Sequence, residues 1–430
     1  MKKMDYQNVK GTKDYLPEEE IVRRRIQREL EDVFIQYGCK PLETPILNYT
    51  ELLASKYGGG AEILEEMYTL SDRGGRDLAL RYDLTIPFAK AAAMNPGIRL
   101  PFKRYEIGRV FRDGPIKTGR LREFTQCDVD IAGADSQLAE AELMVMALDA
   151  FQRIGLYITI QYNNRKLLSG MLQEFGVLEE KRNEAILVLD KLEKAGWQKV
   201  SEELAAKGIG YEAIQRIAGF ISDKGIGKLA YYEEMEDKNV HLKEGLQELK
   251  ELEGYLTYLN CSRKAVFNPF LARGLDIYTG TIYEIFLTDR SLASSIGSGG
   301  RYDNAIGGFI GSGKKVATVG ISFGLDAIFT AVSQSLSRTE RESTADYFLI
   351  PINTPKESLA LAQYLREKGW RVELELGSRK ISKALERANK ENIRKVILLG
   401  EEEVSNNQYK VKDMETGEEA FEKYDFKKYV

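Results

Sequence analysis

The sequence predicts an α+β fold: an antiparallel sheet flanked by helices, interrupted by a helical insertion and followed by a separate α/β domain. Three observations carry that prediction. Between Arg76 and Ile160, short apolar runs follow one another with loops between them and no helix after each, as antiparallel strands do. From about Lys166 to Leu259 the chain turns to Glu, Lys, Leu and Ala at helical spacing, with little that reads as strand. Beyond Ala345, strand and helix patterns alternate, as in βαβ units.

The elements follow in order. Ile21, Val22, Ile26, Leu30, Val33, Phe34 and Tyr37 recur at helical spacing after Pro17, and Gly38 supplies a stop. KPLETPIL reads as a strand carrying Pro45, which on the residues alone suits either an edge strand of a monomer or an interface. LALRYDLT, KRYEIGRVFR and EFTQCDVDIAG read as strands, and SQLAEAELMVMALDAFQRIG as a long amphipathic helix. The insertion spans residues 166–259, after which strands return at GTIYEIFL and VATVGISF, completing a first unit of residues 1–332. SQSLSRTERESTA, residues 333–345, is polar and aperiodic and reads as a linker. In residues 346–430, DYFLIPI, RVELEL and KVILLG are strands, SLALAQYLREKG and ISKALERANKEN are helices, and QYKVKD is the final strand.

The 430 residues, 43% hydrophobic and 30% charged, suit two or three globular domains. No apolar run approaches a membrane span. The N-terminus turns acidic before an apolar stretch could form a secretory signal. Cys39, Cys127 and Cys261 make neither a disulfide framework nor a zinc pattern, so a cytoplasmic location is expected. A net charge of −4 argues against a general polyanion binder but leaves room for a local basic face. With His241 as the one histidine, a histidine base or a histidine-rich metal site is not expected, and no side-chain metal site is predicted.

Two distant motifs concentrate the chemistry. VFRDGPIKTGRLREFTQCDVDIAG places Arg112 and Arg120 on the arms of a Gly-containing hairpin, flanked by Phe111 and Phe124. Such a pair can grip a polyphosphate and neutralise charge that builds at the α-phosphorus; an arginine-rich turn in solvent is the alternative. The same motif continues into a strand whose Gln126, Asp128 and Asp130 share one face. ARGLDIYTGTIYE places Arg273 at the start of a loop, able to reach an α-phosphate and a substrate carboxylate together, or to pair structurally with Asp276. Asp83 and Thr85 in LRYDLT, Tyr278, and Tyr302 in GGRYD complete a set of carboxylates and hydroxyls that can hold an imidazole and an ammonium. GSGGRYDNAIGGFIGSGKK nearly spells a phosphate-binding loop, but Lys315 stands at the Ser/Thr position and a strand pattern follows where a helix is required. In the last domain, Lys380, Lys383, Arg387, Lys390 and Arg394 recur on one helical face. That stripe suits an RNA backbone, or is a solvated face diluted by Glu386 and Glu391.

Over nearly the whole chain, from KGTKDYLP onward, these motifs resemble those of histidyl-tRNA synthetases, a class II aminoacyl-tRNA synthetase family. The match is weakest in the insertion, and LRYDLTIPF and QCDVDIAG look more like the archaeal and eukaryotic branch than the common bacterial one. The resemblance implies a class II synthetase-type antiparallel sheet, a C-terminal anticodon-binding domain, and a cytoplasmic homodimer with Pro45 at its interface. It implies that histidine and ATP, with Mg2+, give histidyl-adenylate, and that the histidyl group passes to histidine tRNA. It assigns Arg112, Arg120 and Arg273 to ATP, with Arg112 and Arg273 catalytic. It assigns Asp83, Thr85, Gln126, Asp130, Arg273, Tyr278 and Tyr302 to histidine, and the C-terminal basic stripe to tRNA.

Three positions depart from the family pattern. Gly114 stands where an acidic residue is usual, and Ile277–Tyr278 replaces a double tyrosine. Ala327 follows Asp326 where an arginine is usual, and losing such a charge-assisted contact costs about 1.5–3 kcal/mol unless another cation, Lys314 or Lys315, replaces it. These departures keep two other readings in play: a histidine-sensing regulatory subunit of ATP phosphoribosyltransferase, and an RNA-binding paralogue without catalysis. Retention of a tRNA-binding half weighs against the first, and retention of all three arginines against the second.

Overall fold

A computed structural model of the chain describes residues 6–54, 61–273, 277–311, 315–335, 343, 345–377 and 380–426. The chain divides into two compact units, Met1–Asp14 with Arg23–Gln334, and Tyr15–Val22 with Ser335–Val430.

The first unit is organised by an eight-stranded sheet. Its order is Lys40–Pro41, Phe102–Phe111, Glu123–Ala132, Thr318–Gly324, Gly297–Arg301, Thr281–Leu287, Ile158–Asn164 and Ala265–Phe267. Pairing is antiparallel through the centre and parallel at the two edges. Two ten-residue strands, Phe102–Phe111 and Glu123–Ala132, form the long hairpin of the sheet, and every residue from Thr125 to Ala132 is buried. The helix Leu138–Ile154 ends at Gly155, whose φ of 84° requires a residue without a Cβ. Phe151 meets Phe323 edge-on at 5.4 Å, anchoring that helix to the sheet.

Residues 165–258 are helical, from Arg165–Glu174 to Val240–Tyr258, with no strand. The insertion has its own core of Leu168, Ile186, Leu189, Leu204 and Ile217, and Ala272 of the second motif is buried within it. In the second unit the sheet order is Val372–Leu374, Tyr347–Pro351, Lys395–Leu399, Gln408–Asp413 and Glu419–Lys423. The first three strands are parallel and the last two antiparallel. Helices Pro355–Glu367 and Ile381–Lys390 accompany them.

Four local expectations are corrected. KPLETPIL is not one strand: Lys40–Pro41 and Leu47–Tyr49 join different sheets, and Pro45 lies between them. The Thr44 backbone is bonded elsewhere, its N–H donating to Glu106 Oε1 (3.0 Å) and its carbonyl accepting from Arg81 Nη1 (2.7 Å). LALRYDLT ends as a strand at Leu80, and Thr85 opens the helix Thr85–Met94, so Asp83 and Thr85 do not share a strand face. Pro87 suits the first helical turn because that turn needs no donor there. QYKVKD is followed by a further strand, Glu419–Lys423, whose exposed EAFEK residues carry almost no apolar signal. Of the segment 333–345, residues up to Ser335 end the helix Leu325–Ser335, and 336–342 and 344 lie outside the described residues.

Candidate active site

The site rests on the central strands. Alternation along Glu123–Ala132 turns Asp128 and Asp130 to one face, and the register sets Asp130 beside Gly320 and Asp128 beside Ser322. A side chain at Gly320 would put its Cβ 1.9 Å from Asp130 Oδ1, so this glycine makes the space that the carboxylate occupies. Asp83, Thr85, Asp128, Asp130, Ile277, Tyr278 and Tyr302, with residues from 298–300 and 320–322, line a cavity of about 40 Å³. The cavity is narrow, but its own side chains do not fill it.

The lining of the cavity is rich in carboxyl groups. Asp130 is held by Arg104, whose Nη2 lies 2.6 Å from Oδ2, and by the Tyr302 hydroxyl, which donates to Oδ1. Arg104 is wholly buried; it also faces Glu106 at 3.6 Å, donates to the Leu84 carbonyl (3.0 Å) and stacks 4.6 Å from the Phe88 ring. Asp83 Oδ1 accepts from the Ile86 N–H (3.0 Å). Burial raises the pKa of Asp83 and of Asp130, against the pull of backbone N–H groups and Arg112 on the first and of Arg104 and Tyr302 on the second. Asp128 is pushed up to about 8 by burial, opposed by Arg104 and reinforced by Asp130 and Asp83.

Five of the side chains that the sequence nominated for the amino acid, Asp83, Thr85, Asp130, Tyr278 and Tyr302, meet around this cavity. Gln126 is not part of the lining, and its Nε2 donates to Ser322 Oγ (2.5 Å). Arg112 lies between two rings, 4.2 Å from that of Tyr82 and 5.2 Å from that of Phe124, and its charge acts on Asp83. Arg273 pairs with Glu284, and its guanidinium hydrogen-bonds the Tyr278 phenol. Asp276, its alternative partner, lies outside the described residues. Arg120 is exposed, in a turn where its backbone pairs with Lys117. Arg112 and Arg273 therefore each act on a residue of the cavity lining, whereas Arg120 is on an exposed turn.

The departures have local accounts. A Cβ on Gly114 would lie 2.5 Å from Glu66 Oε1, so Glu66 brings a carboxylate to the place where a side chain at 114 would begin. Tyr82 hydrogen-bonds that carboxylate at 3.0 Å. Asp326 accepts from Arg23 (2.5 Å) and from the Thr125 N–H (2.8 Å). Lys315 is exposed, and Lys314 lies outside the described residues. The near phosphate-binding loop is followed by the strand Thr318–Gly324 and not by a helix, as the sequence indicated.

The C-terminal stripe is less basic than its sequence. Arg387 pairs with Glu373 and with Glu391 (2.8 Å), Lys390 with Glu386 (2.8 Å), and Arg394, beyond the end of the helix, with Asp413 (2.9 Å). Lys380 and Lys383 are exposed and meet no acid among the described residues.

Sequence reading left Asp128 outside the site set although its spacing from Gln126 and Asp130 was visible. Arg104 and Ser322 were missed because their closeness to the aspartates arises from cross-strand register. Glu66 carried no sequence signal.

Comparison with known proteins converges with this geometry. The family model for histidyl-tRNA synthetase matches residues 11–328, and that for an anticodon-binding domain matches residues 346–430. "Histidine--tRNA ligase 2" of Shouchella clausii is 58% identical over 426 residues, covering 99% of this chain and 100% of that protein. The crystal structure of a histidyl-tRNA synthetase from Nostoc sp. PCC 7120 superposes with a TM-score of 0.83 at 28% identity, covering 100% of both chains. A Bacillus halodurans structure described as an ATP phosphoribosyltransferase regulatory subunit/histidyl-tRNA synthetase shares the fold, with a TM-score of 0.75 at 21% identity over 93% of this chain and 99% of that one. By the family match and by full-length identity alike, this chain belongs to the histidyl-tRNA synthetase family.

Proposed function

We propose that this chain is a histidine–tRNA ligase. In the first step a carboxylate oxygen of histidine attacks the α-phosphorus of ATP, the α–β bond breaks, and pyrophosphate leaves with the histidyl-adenylate formed. In the second, a hydroxyl of the terminal ribose of histidine tRNA attacks the acyl carbon and AMP departs. Full-length relatives named as histidine–tRNA ligases favour this reading over a histidine-sensing regulator or a non-catalytic RNA-binding paralogue.

The observation that carries it is the cavity of carboxylates and tyrosine hydroxyls, with Arg112 in electrostatic reach of its Asp83 and Arg273 hydrogen-bonded to its Tyr278. The acidic lining suits an imidazole N–H and an ammonium, and rejects amino acids that leave its polar groups unpaired. Arg112, stacked between Tyr82 and Phe124, is pre-oriented for the α-phosphate, and Arg273 for charge that develops there. Arg120, on the exposed loop, reaches the outer phosphates. Magnesium comes with the triphosphate as part of the substrate and neutralises its charge. The working molecule is a cytoplasmic homodimer.

Histidine-dependent exchange of pyrophosphate into ATP, followed by charging of histidine tRNA, tests the reading. Both activities are expected; tight histidine binding with neither would identify a sensor. Arg273→Ala is expected to lower the exchange rate at least a hundredfold while leaving histidine affinity within a few-fold, measured by calorimetry. Unchanged exchange would remove Arg273 from the chemistry.

A further inference from the structure

Three aspartates face the cavity, and their partners differ. Asp130 is taken by Arg104 and Tyr302, and Asp83 by the first turn of the helix Thr85–Met94. Asp128 is 2% exposed, yet among the described residues nothing donates to its Oδ1. The neighbouring strand offers it the Ser322 hydroxyl, which is itself bonded by Gln126. A buried carboxylate oxygen without a donor is costly, and it is retained where a ligand supplies the donor.

We propose that Asp128 is a specificity-determining residue of this site, its Oδ1 accepting an N–H from the bound amino acid. The inference rests on histidine being the amino acid activated. Histidine carries N–H groups at both ends, on its ammonium and on its imidazole, and either would complete the Asp128 shell. Ser322 hydrogen-bonds the carboxylate and so fixes it beside the cavity that it lines, and Gln126 fixes Ser322. Gln126 thus acts on the substrate through two neighbours and is a positioning residue.

Proton linkage follows from the surroundings of Asp128. Facing it are Asp83 before the helix, Arg104 and Glu106 on the strand Phe102–Phe111, Asp130 on its own strand, and the phenols of Tyr278 and Tyr302. Burial is the main cause that raises the Asp128 pKa to about 8; Asp130 and Asp83 reinforce it and Arg104 opposes it, while Glu106 is itself paired with Arg81 (2.7 Å), so Asp128 is protonated at neutral pH in the free enzyme. An N–H donor at Oδ1 favours the ionised form, so histidine binding expels that proton.

The test uses the full-length protein and L-histidine in two parts. First, calorimetry of wild-type protein at pH 7 in buffers of different ionisation enthalpy is expected to show release of close to one proton, beyond what the ligand's own titration supplies. Absence of release overturns the proposal without any variant. Second, Asp128→Asn is expected to raise the KM for histidine in pyrophosphate exchange at least tenfold, to leave the KM for ATP unchanged, and to abolish the proton release. A folded Asn variant with wild-type histidine KM and wild-type proton release overturns it. Failure of the wild-type protein to catalyse any histidine-dependent exchange is a different result: it removes the ligase reading, and this inference falls with it.

Discussion

A single guanidinium determines how much charge the cavity can hold. Arg104 is fully enclosed, and it is the cation closest to Asp130 and the main counterweight to Asp128. Replacing one partner of a buried ion pair leaves the other charged and unsolvated, which costs about 3–5 kcal/mol. Arg104→Met is therefore expected to lower stability by about that amount in urea denaturation. The sign of its pH dependence also follows. Asp83, Asp128 and Asp130 all have folded pKa values above their unfolded ones. Each binds more protons in the folded state, so each contributes stability that is lost as pH rises from near 4 through its folded value. Without Arg104 those folded values climb further. The deficit of Arg104→Met against wild type should then widen as pH rises through the wild-type folded values, about 8 for Asp128, in thermal melts, and a constant deficit would show that Arg104 acts through packing alone.

At the scale of elements, much of the fold could be read from periodicity, because the long strands and helices bury one face and repeat accordingly. The strand Glu123–Ala132 and the helix Leu138–Ile154 are examples. Errors fell where a tertiary bond overrode local pattern. Thr44 gave its backbone to Arg81 and Glu106, breaking an expected strand, and the Asp83 carboxylate turned an expected strand into the first turn of a helix. Within the site, the residues of the two motifs were legible by type and spacing. Arg104, Ser322 and Glu66 were not, because only strand register and loop packing bring them near. The insertion also has a role that composition could not reveal. Its core encloses Ala272, and Asp190, at the end of the helix Glu179–Leu189, accepts from the Arg273 N–H at 3.0 Å. Arg273 is held there at φ 57°, a conformation that a non-glycine residue keeps only when its surroundings impose it. Asp190→Ala is expected to lower the pyrophosphate exchange rate about tenfold with little change in histidine KM. Asp190→Asn, whose Oδ1 still accepts, should restore most of it. Equal losses in both variants would mean that the charge of Asp190 matters and its hydrogen bond does not.

At the scale of the whole molecule, the two units divide the labour: the first unit carries the cavity, and the second carries the basic residues proposed to meet tRNA. Five cations suggest a strong electrostatic footprint in the sequence, but pairing changes that expectation. Arg387, Lys390 and Arg394 each have acidic partners, so replacing any of them removes a partly cancelled charge. Lys380 and Lys383 have none among the described residues and can release counterions from a phosphate backbone at full effect. Lys380→Glu with Lys383→Glu is expected to raise the KM for histidine tRNA in charging at least tenfold at low salt. It should also flatten the salt dependence of binding by about two counterions, since each phosphate contact contributes roughly one. Lys390→Glu should change that KM no more than about threefold. Pyrophosphate exchange, which needs no tRNA, should be unaffected in all of these variants. The reverse ranking, with Lys390→Glu the more damaging, would mean that the ion pairs of this helix open on binding and that the whole stripe engages RNA.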